Sequence, residues 1–173
     1  MSGPDRESVG VRLRPATPED TERVAAIWAP GWVEAHEGRV PDELLEHRSA
    51  ADLRNRVPSM LNAMTVAVID GEVAGFVVVE GDAVDQLYLD GGLRGKGIAG
   101  RLLAHGESEI AAAGHDRAWL AVVAGNEHAR RFYASQGWKD CGTFDHITWT
   151  TDGRTIPVPC RRYEKVVRRR ELD

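Results

Sequence analysis

The stretch LRGKGIAGRLL, residues 93–103, sets Gly95, Gly97 and Gly100 among Arg94, Lys96 and Arg101 where an apolar helical pattern begins. Glycines let a backbone approach a ligand closely, and the first free N–H groups of a helix, at the positive end of its dipole, suit an anion. The chemistry these residues suggest is phosphate binding. Two common phosphate motifs can be set against them. The P-loop needs G-x-x-x-x-G-K-[ST]. Here Asp90 stands at the first glycine position and Gly97 follows Lys96, so both ends fail, including the hydroxyl that would hold a metal. The dinucleotide fingerprint G-x-G-x-x-G is met formally by Gly95, Gly97 and Gly100, but its context is missing. Residues Asp90 to Arg94 separate the preceding strand from the glycines, and the nearby acid, Asp116, comes before the next strand instead of after it.

The elements that must hold this loop can be read from periodicity and punctuation. VRLRPA alternates as a first strand. A helix starts at TPEDTERVAAIW, with Thr17 as N-cap, Pro18 in the first turn and Glu19 and Asp20 near the positive dipole end. Pro30 and Gly31 should break or kink it, and WVEAHEGRV is ambiguous. PDELLEHRSAADLRNRV reads as one helix from Pro41 to just before Pro58. MTVAVI and VAGFVVVE flank Asp70-Gly71, a strong hairpin signal, and VDQLYLD is a third strand of the meander. After the glycine loop comes a helix over 98–113, apolar at Ile98, Leu102, Leu103 and Ile110 and stopped by Gly114. RAWLAVVA is a buried strand, and NEHARRFYASQ a short helix capped by Asn126 and ended by Gly137. The last part reads as two strands around a Thr-Asp-Gly-Arg turn. The order β-α-α-β-β-β-α-β-α-β-β describes a mixed α/β single domain over 11–167, with a loose tail at 1–10 and a charged tail, including Arg168, at 168–173.

Composition narrows the function. A chain of 173 residues, 42% hydrophobic and 28% charged, can build one core and is neither disordered nor fibrous. No run approaches the ~18 apolar residues of a membrane span, and the polar start MSGPDRESVG does not read as a signal peptide. A net charge of −5 argues against a bulk electrostatic grip on nucleic acid. Cys141 and Cys160, with no C-x-x-C, speak against a disulfide framework or a zinc site and for a reducing cytoplasm.

A second block gives the loop an owner. Residues Arg94 to Ala99 fit [RQ]-x-x-G-x-[GA], and NEHARRFYASQGW, from Asn126 to Trp138, resembles N-x-x-A-x-x-F-Y-x-x-x-G-[FW] in register behind it. DQLYLD resembles a central strand that often reads L-Y-V, and IWAPGWVEAHEGRVPDELL resembles the first-helix region of small bacterial members. Over about residues 11–166 the chain is thus similar to the GNAT (Gcn5-related N-acetyltransferase) superfamily.

That resemblance implies a mostly antiparallel central sheet with splayed middle strands, flanked by helices. It implies acetyl-CoA as cosubstrate, no metal, and a primary amine as acceptor. The pyrophosphate would sit on backbone N–H groups of Arg94, Gly95, Lys96, Gly97, Ile98 and Ala99, with Gly100 behind them. Arg94, Lys96 and Arg101 could add charge, or be ordinary solvated cations. Main-chain groups of Leu87 and Leu89 would pair with the pantetheine arm, while Tyr88 faces the other side of the strand and packs. Asn126, Ala129, Arg130 and Phe132 lie on the helix beside the arm, Asn126 as cap and as a bonding partner of the arm, Phe132 as packing. Tyr133 matches the family's usual general acid. The base is left open among Asp85, Glu80, Glu34, His36 and Glu37. Trp32, His36 and His146 are candidates for the acceptor site, with Trp28 and Trp149 able to shape it. Cys141 and Cys160 are expected as buried thiols on adjacent strands. The acceptor is expected to be a small molecule; a protein N-terminal or lysine acetyltransferase and a non-catalytic acyl-CoA-binding module are the alternatives. Neither nucleic acid nor a membrane is an expected partner, and a homodimer is compatible with the family.

Overall fold

The computed structural model describes residues 10–168. The expected tails lie outside these residues except for Gly10 and Arg168, whose N–H reaches the Asp116 carbonyl at 3.3 Å. The strands are β1 Arg12–Pro15, β2 Met64–Ile69, β3 Glu72–Glu80, β4 Ala83–Leu89, β5 Arg117–Val123, β6 Lys139–Trp149 and β7 Thr155–Val166. The α-helices are α1 Thr21–His36, α2 Asp42–Leu45, α3 Ala50–Arg56, α4 Ile98–Ala112 and α5 Glu127–Ser135. The strands form one sheet in the order β1-β2-β3-β4-β5-β7-β6, antiparallel throughout except where β4 meets β5. Among the described residues no helix is long and apolar enough to cross a membrane.

Alternation along β3 divides the core. Phe76 and Val78 point into a cluster with Val24, Trp28 and Leu53 of α1 and α3. Val77 points to the other face, against Leu102, Leu103 and Ile110 of α4. Asp70 and Gly71 turn the β2–β3 hairpin with φ of 51° and 79°, the two positive values that a tight two-residue hairpin turn demands.

Two helical expectations differ from the structure. Pro30 and Gly31 do not end α1, which runs on to His36. The proline costs one backbone bond, and the glycine lets the Tyr88 ring approach so closely that a Cβ there would lie 2.7 Å from a ring carbon. The single helix expected from Pro41 onwards is broken into α2 and α3. Ser49 caps α3 by accepting from the Asp52 N–H, and Asp52 accepts from the Ser49 N–H, a capping box that starts a new helix. The break frees His47 and Arg48 to turn inward, where both are buried.

The close contact that seats α4 on the sheet is at Gly75. A Cβ on Gly75 would meet the Tyr88 carbonyl oxygen at 2.8 Å, Leu89 at 2.9 Å and Leu102 at 3.2 Å. Gly75→Val should therefore overpack this site, costing about 1–3 kcal/mol and lowering Tm by roughly 3–10 °C. Gly91, with nothing within 4 Å of a built Cβ, should accept alanine with a Tm change of less than about 2 °C. Thermal unfolding of the two variants checks this; equal midpoints would contradict it.

Candidate active site

β4 and β5 meet at one residue pair, Ala83 with Trp119. Bonds from the Trp119 N–H to the Asp82 carbonyl and from its indole Nε1 to the Asp82 carboxylate pin the two strands at this end. Beyond it they diverge. The free edge of β4 can be read from its pairing with β3. The Asp90 N–H bonds to the Ala74 carbonyl, so by the alternation of antiparallel ladders Tyr88 and Gln86 also bond to β3. Leu87 and Leu89 then turn their N–H and C=O groups toward the gap. Their side chains pack with the α4 core, while Tyr88 stacks on Phe76 at 5.8 Å on the opposite face.

At the far end of the gap lies the glycine loop. Asp90 accepts a bond from the Gly92 N–H, and Arg23 ties the Asp90 carboxylate to the Val73 carbonyl. Gly95 and Gly97 have φ of 79° and 76°, and Gly97 is the left-handed N-cap of α4. α4 has no side-chain cap and no acid in its first turn, so the N–H groups of Ile98, Ala99 and Gly100 keep no intrahelical acceptor. That is a cradle suited to a phosphate.

Two cavities open on this gap. One, about 630 Å³, is lined by Leu87, Tyr88, Leu89, Arg94, Gly95, Gly97, Ile98, Ala99, Gly100, Asn126, Ala129, Phe132 and Tyr133. Glu34, Arg39, His128 and Arg131 line it too. Of the residues expected to hold the cofactor, three are not brought here. Lys96 is exposed outside the groove. Arg101 donates to the Val11 carbonyl at 3.0 Å. Arg130 bonds to the Tyr163 hydroxyl, the Ala124 carbonyl and Asp140, so it faces β6 and β7, and its neighbour Arg131 borders the groove. Asn126 caps α5, its Oδ1 accepting from the Ala129 N–H at 3.2 Å.

The second cavity, about 650 Å³, holds the titratable groups proposed for the acceptor side. Asp85, Glu80, His36, His146, Trp28, Trp32 and Trp149 line it, together with Arg48, Arg56, Trp119 and Cys160. A bulge between Val78 and Val79 of β3 leaves Asp85 without a partner across the ladder and sets it in the cleft wall. The side chain is exposed to the cleft, and partial desolvation by the surrounding walls, with the nearby Glu80, raises its pKa. His36 stacks on Trp32 at 4.4 Å and donates from Nδ1 to the Trp32 carbonyl at 2.8 Å. Burial holds its pKa down to about 4, so near pH 7 the ring is neutral with its Nε2 lone pair free. Burial also lowers His146, which sits edge-on to Trp119 and Phe144.

Glu34 lies on the cofactor side, in a two-pronged ion pair with Arg94 at 2.8 and 2.7 Å. Its pKa is lowered by that bond, the reverse of what a base needs, and Arg94 is already engaged with a carboxylate. Glu37 is exposed and lines neither cavity. Cys160 is buried, with its thiol pushed up to about 11 by burial, and Cys141 is exposed, against the expectation of two buried thiols. A thiol held neutral in this way is a poor nucleophile.

Tyr133 borders both cavities, as do Leu87, Tyr88, Asn126 and Ala129. Burial raises its pKa, so the phenol stays protonated. Among the described residues its hydroxyl has no hydrogen-bond partner. Arg48 and Arg56 were not marked by any sequence motif; the S-x-x-D capping signal at Ser49 was the clue that would have freed Arg48 from a helix face.

The fold recurs in known proteins. A family model described as "Acetyltransferase (GNAT) family" matches residues 21–138. An uncharacterized N-acetyltransferase of Mycobacterium bovis is 37% identical over 86 residues, which cover 47% of this chain and 55% of that protein, so the chain matches about half the relative's length. A crystal structure of a GCN5-related N-acetyltransferase from Rhodopseudomonas palustris superposes with a TM-score of 0.69 at 21% identity, covering 90% of this chain and 94% of that one. PaiA N-acetyltransferase from Thermoplasma acidophilum, solved in complex with coenzyme A, superposes with a TM-score of 0.62 at 21% identity, over 91% of this chain and 99% of that one. At such identities the two structures share the fold. With the family model spanning more than half of the sequence, the chain belongs to the acetyltransferase (GNAT) family.

Proposed function

We propose that the protein transfers the acetyl group of acetyl-CoA to a primary amine of a small molecule, both substrates being bound at once. The observation that carries this reading is the meeting of the two cavities at Tyr133, where β4 has left β5. The groove fits coenzyme A by its own features: an uncapped helix start behind two left-handed glycines for the pyrophosphate, and an unpaired strand edge for the amide-bearing arm. Acetyl-CoA, when bound, supplies an activated thioester.

The chain's residues then have separable tasks. The Leu87 and Leu89 main-chain groups bind the arm as an added strand would, and an N–H of this edge stabilises negative charge on the thioester oxygen. Asp85, its pKa raised by partial desolvation and by Glu80, takes the proton from the incoming ammonium group, directly or through water. The amine nitrogen bonds to the acetyl carbon, the carbon–sulfur bond breaks, the Tyr133 phenol donates a proton to the departing thiolate, and the second proton shed by the new amide nitrogen returns through water to the Tyr133 oxygen. The neutral His36 keeps its free nitrogen toward the acceptor cleft as a hydrogen-bond acceptor.

Tyr133→Phe should lower kcat by roughly 10²-fold while the thermal shift given by acetyl-CoA is retained. Thiol release and melting curves on the same preparation check this, and an unchanged kcat would remove Tyr133 from the proton path. The pH dependence follows from the sign of the Asp85 shift. A base acts when ionised, and the folded-state pKa of Asp85 lies above the ordinary carboxylate value, so kcat/KM should fall as pH drops through that raised value. Asp85→Asn should abolish this limb and cost roughly 10²-fold at pH 7; an identical pH profile in the variant would exclude Asp85 as the base.

A further inference from the structure

The acceptor cavity carries opposite charges on its two walls, and one of them is buried without a counter-ion. Arg48 is 6% exposed and lines the cavity. Its guanidinium lies over the Trp149 ring at 3.5 Å and faces Trp32 at 5.7 Å. Its terminal nitrogens donate to two neutral carbonyls, of His47 at 3.0 Å and Trp149 at 2.8 Å. Arg56 lies over the same Trp149 ring at 4.2 Å and lines the same cavity. Among the described residues neither guanidinium is in an ion pair, and the nearest acid on their own segment, Asp52, is committed to capping α3. Across the cleft, Asp85 and Glu80 are also outside any ion pair among the described residues and lie at the β3–β4 end.

A buried charge left without a partner is costly, and the cost is recovered when an opposite charge arrives with good geometry. The burial of Arg48 beside the like charge of Arg56 depresses its pKa to about 10, which still leaves it cationic near neutrality. A planar guanidinium stacked on an indole presents its remaining donors in the plane that a carboxylate matches.

We infer that the acceptor is an amino acid or a close analogue, whose carboxylate binds Arg48 and Arg56 while its amine lies against Asp85. This rests on the acetyl-transfer reading above and narrows its acceptor. A polyamine or an aminoglycoside would bring only positive charge to a wall that already holds two cations. A free carboxylate neutralises that wall, and the indoles of Trp32 and Trp149 that hold Arg48 line the same cavity.

The test is thiol release from acetyl-CoA with the twenty common L-amino acids, each paired with its carboxamide, and with spermidine and a short peptide as further acceptors. The expected result is turnover of one or more free acids with kcat/KM at least about tenfold above the matching amide. Arg56→Gln, an exposed position whose loss should leave folding intact, and Arg48→Gln should each raise KM for the acid at least about tenfold with kcat little changed. Arg48→Lys should restore part of the loss. Amides, spermidine or peptide used as well as the free acids would overturn the inference and leave acetyl transfer standing. A melting shift with acetyl-CoA but no turnover of any free acid would overturn it too. No shift and no thiol release with any acceptor would instead bring down the underlying reading.

Discussion

The parting of β4 from β5 is the constraint on which the rest of the site depends. A sheet interior normally satisfies every backbone donor and acceptor through its neighbours. Here one residue pair, Ala83 with Trp119, is followed by divergence, and Leu87 and Leu89 are left with polar groups facing a gap. The Asp82 contacts to Trp119 pin one end of the wedge. At the other end, Arg23, Asp90 and Gly92 hold the strand terminus from which the glycine loop springs. α4 lies on one face beneath the loop, and α1 with the α2–α3 turn closes the other. The cavities are the two mouths of that wedge, which is why Tyr133 and the β4 edge belong to both.

Electrostatics assign different work to groups that look alike in the sequence. Glu34 and Asp85 are both carboxylates near the gap. The Arg94 partner of Glu34 holds it ionised and ties the end of α1 to the glycine loop. Asp85 has no such partner, and partial desolvation with the nearby Glu80 moves it the other way. His36 and His146 are kept neutral by burial, so the charged members of the acceptor cleft are carboxylates on one wall and guanidiniums on the other.

What could be read from the sequence was local. The glycines of 95–100, the Asp70-Gly71 turn and the Asn126 cap each act within a few residues of themselves, so their spacing carried their geometry. The α2–α3 break was also written locally, in Ser49 and Asp52, but the apolar periodicity across it reads as continuous. The turn of Arg48 into the cleft went unseen with it. Arg130 and Arg131 illustrate a further limit. Adjacent residues on a helix point about 100° apart, and only packing against β6 and β7 decides which one meets the groove. The Glu34–Arg94 pair joins residues sixty positions apart, and nothing in either neighbourhood announces it. Strand divergence is of the same kind, a relation between two strands that each read as ordinary.

Amide hydrogen exchange at Leu87 and Leu89, resolved residue by residue with and without saturating acetyl-CoA, tests the central claim most directly. Free protein should exchange both amides quickly while the neighbouring Tyr88 amide, bonded to β3, is protected. Acetyl-CoA should slow both by about tenfold, because RT ln 10, about 1.4 kcal/mol, lies within the range that one net hydrogen bond supplies. Leu87 and Leu89 already protected in the free protein, or unchanged when acetyl-CoA is bound, would contradict the account of an open strand edge that receives the cosubstrate.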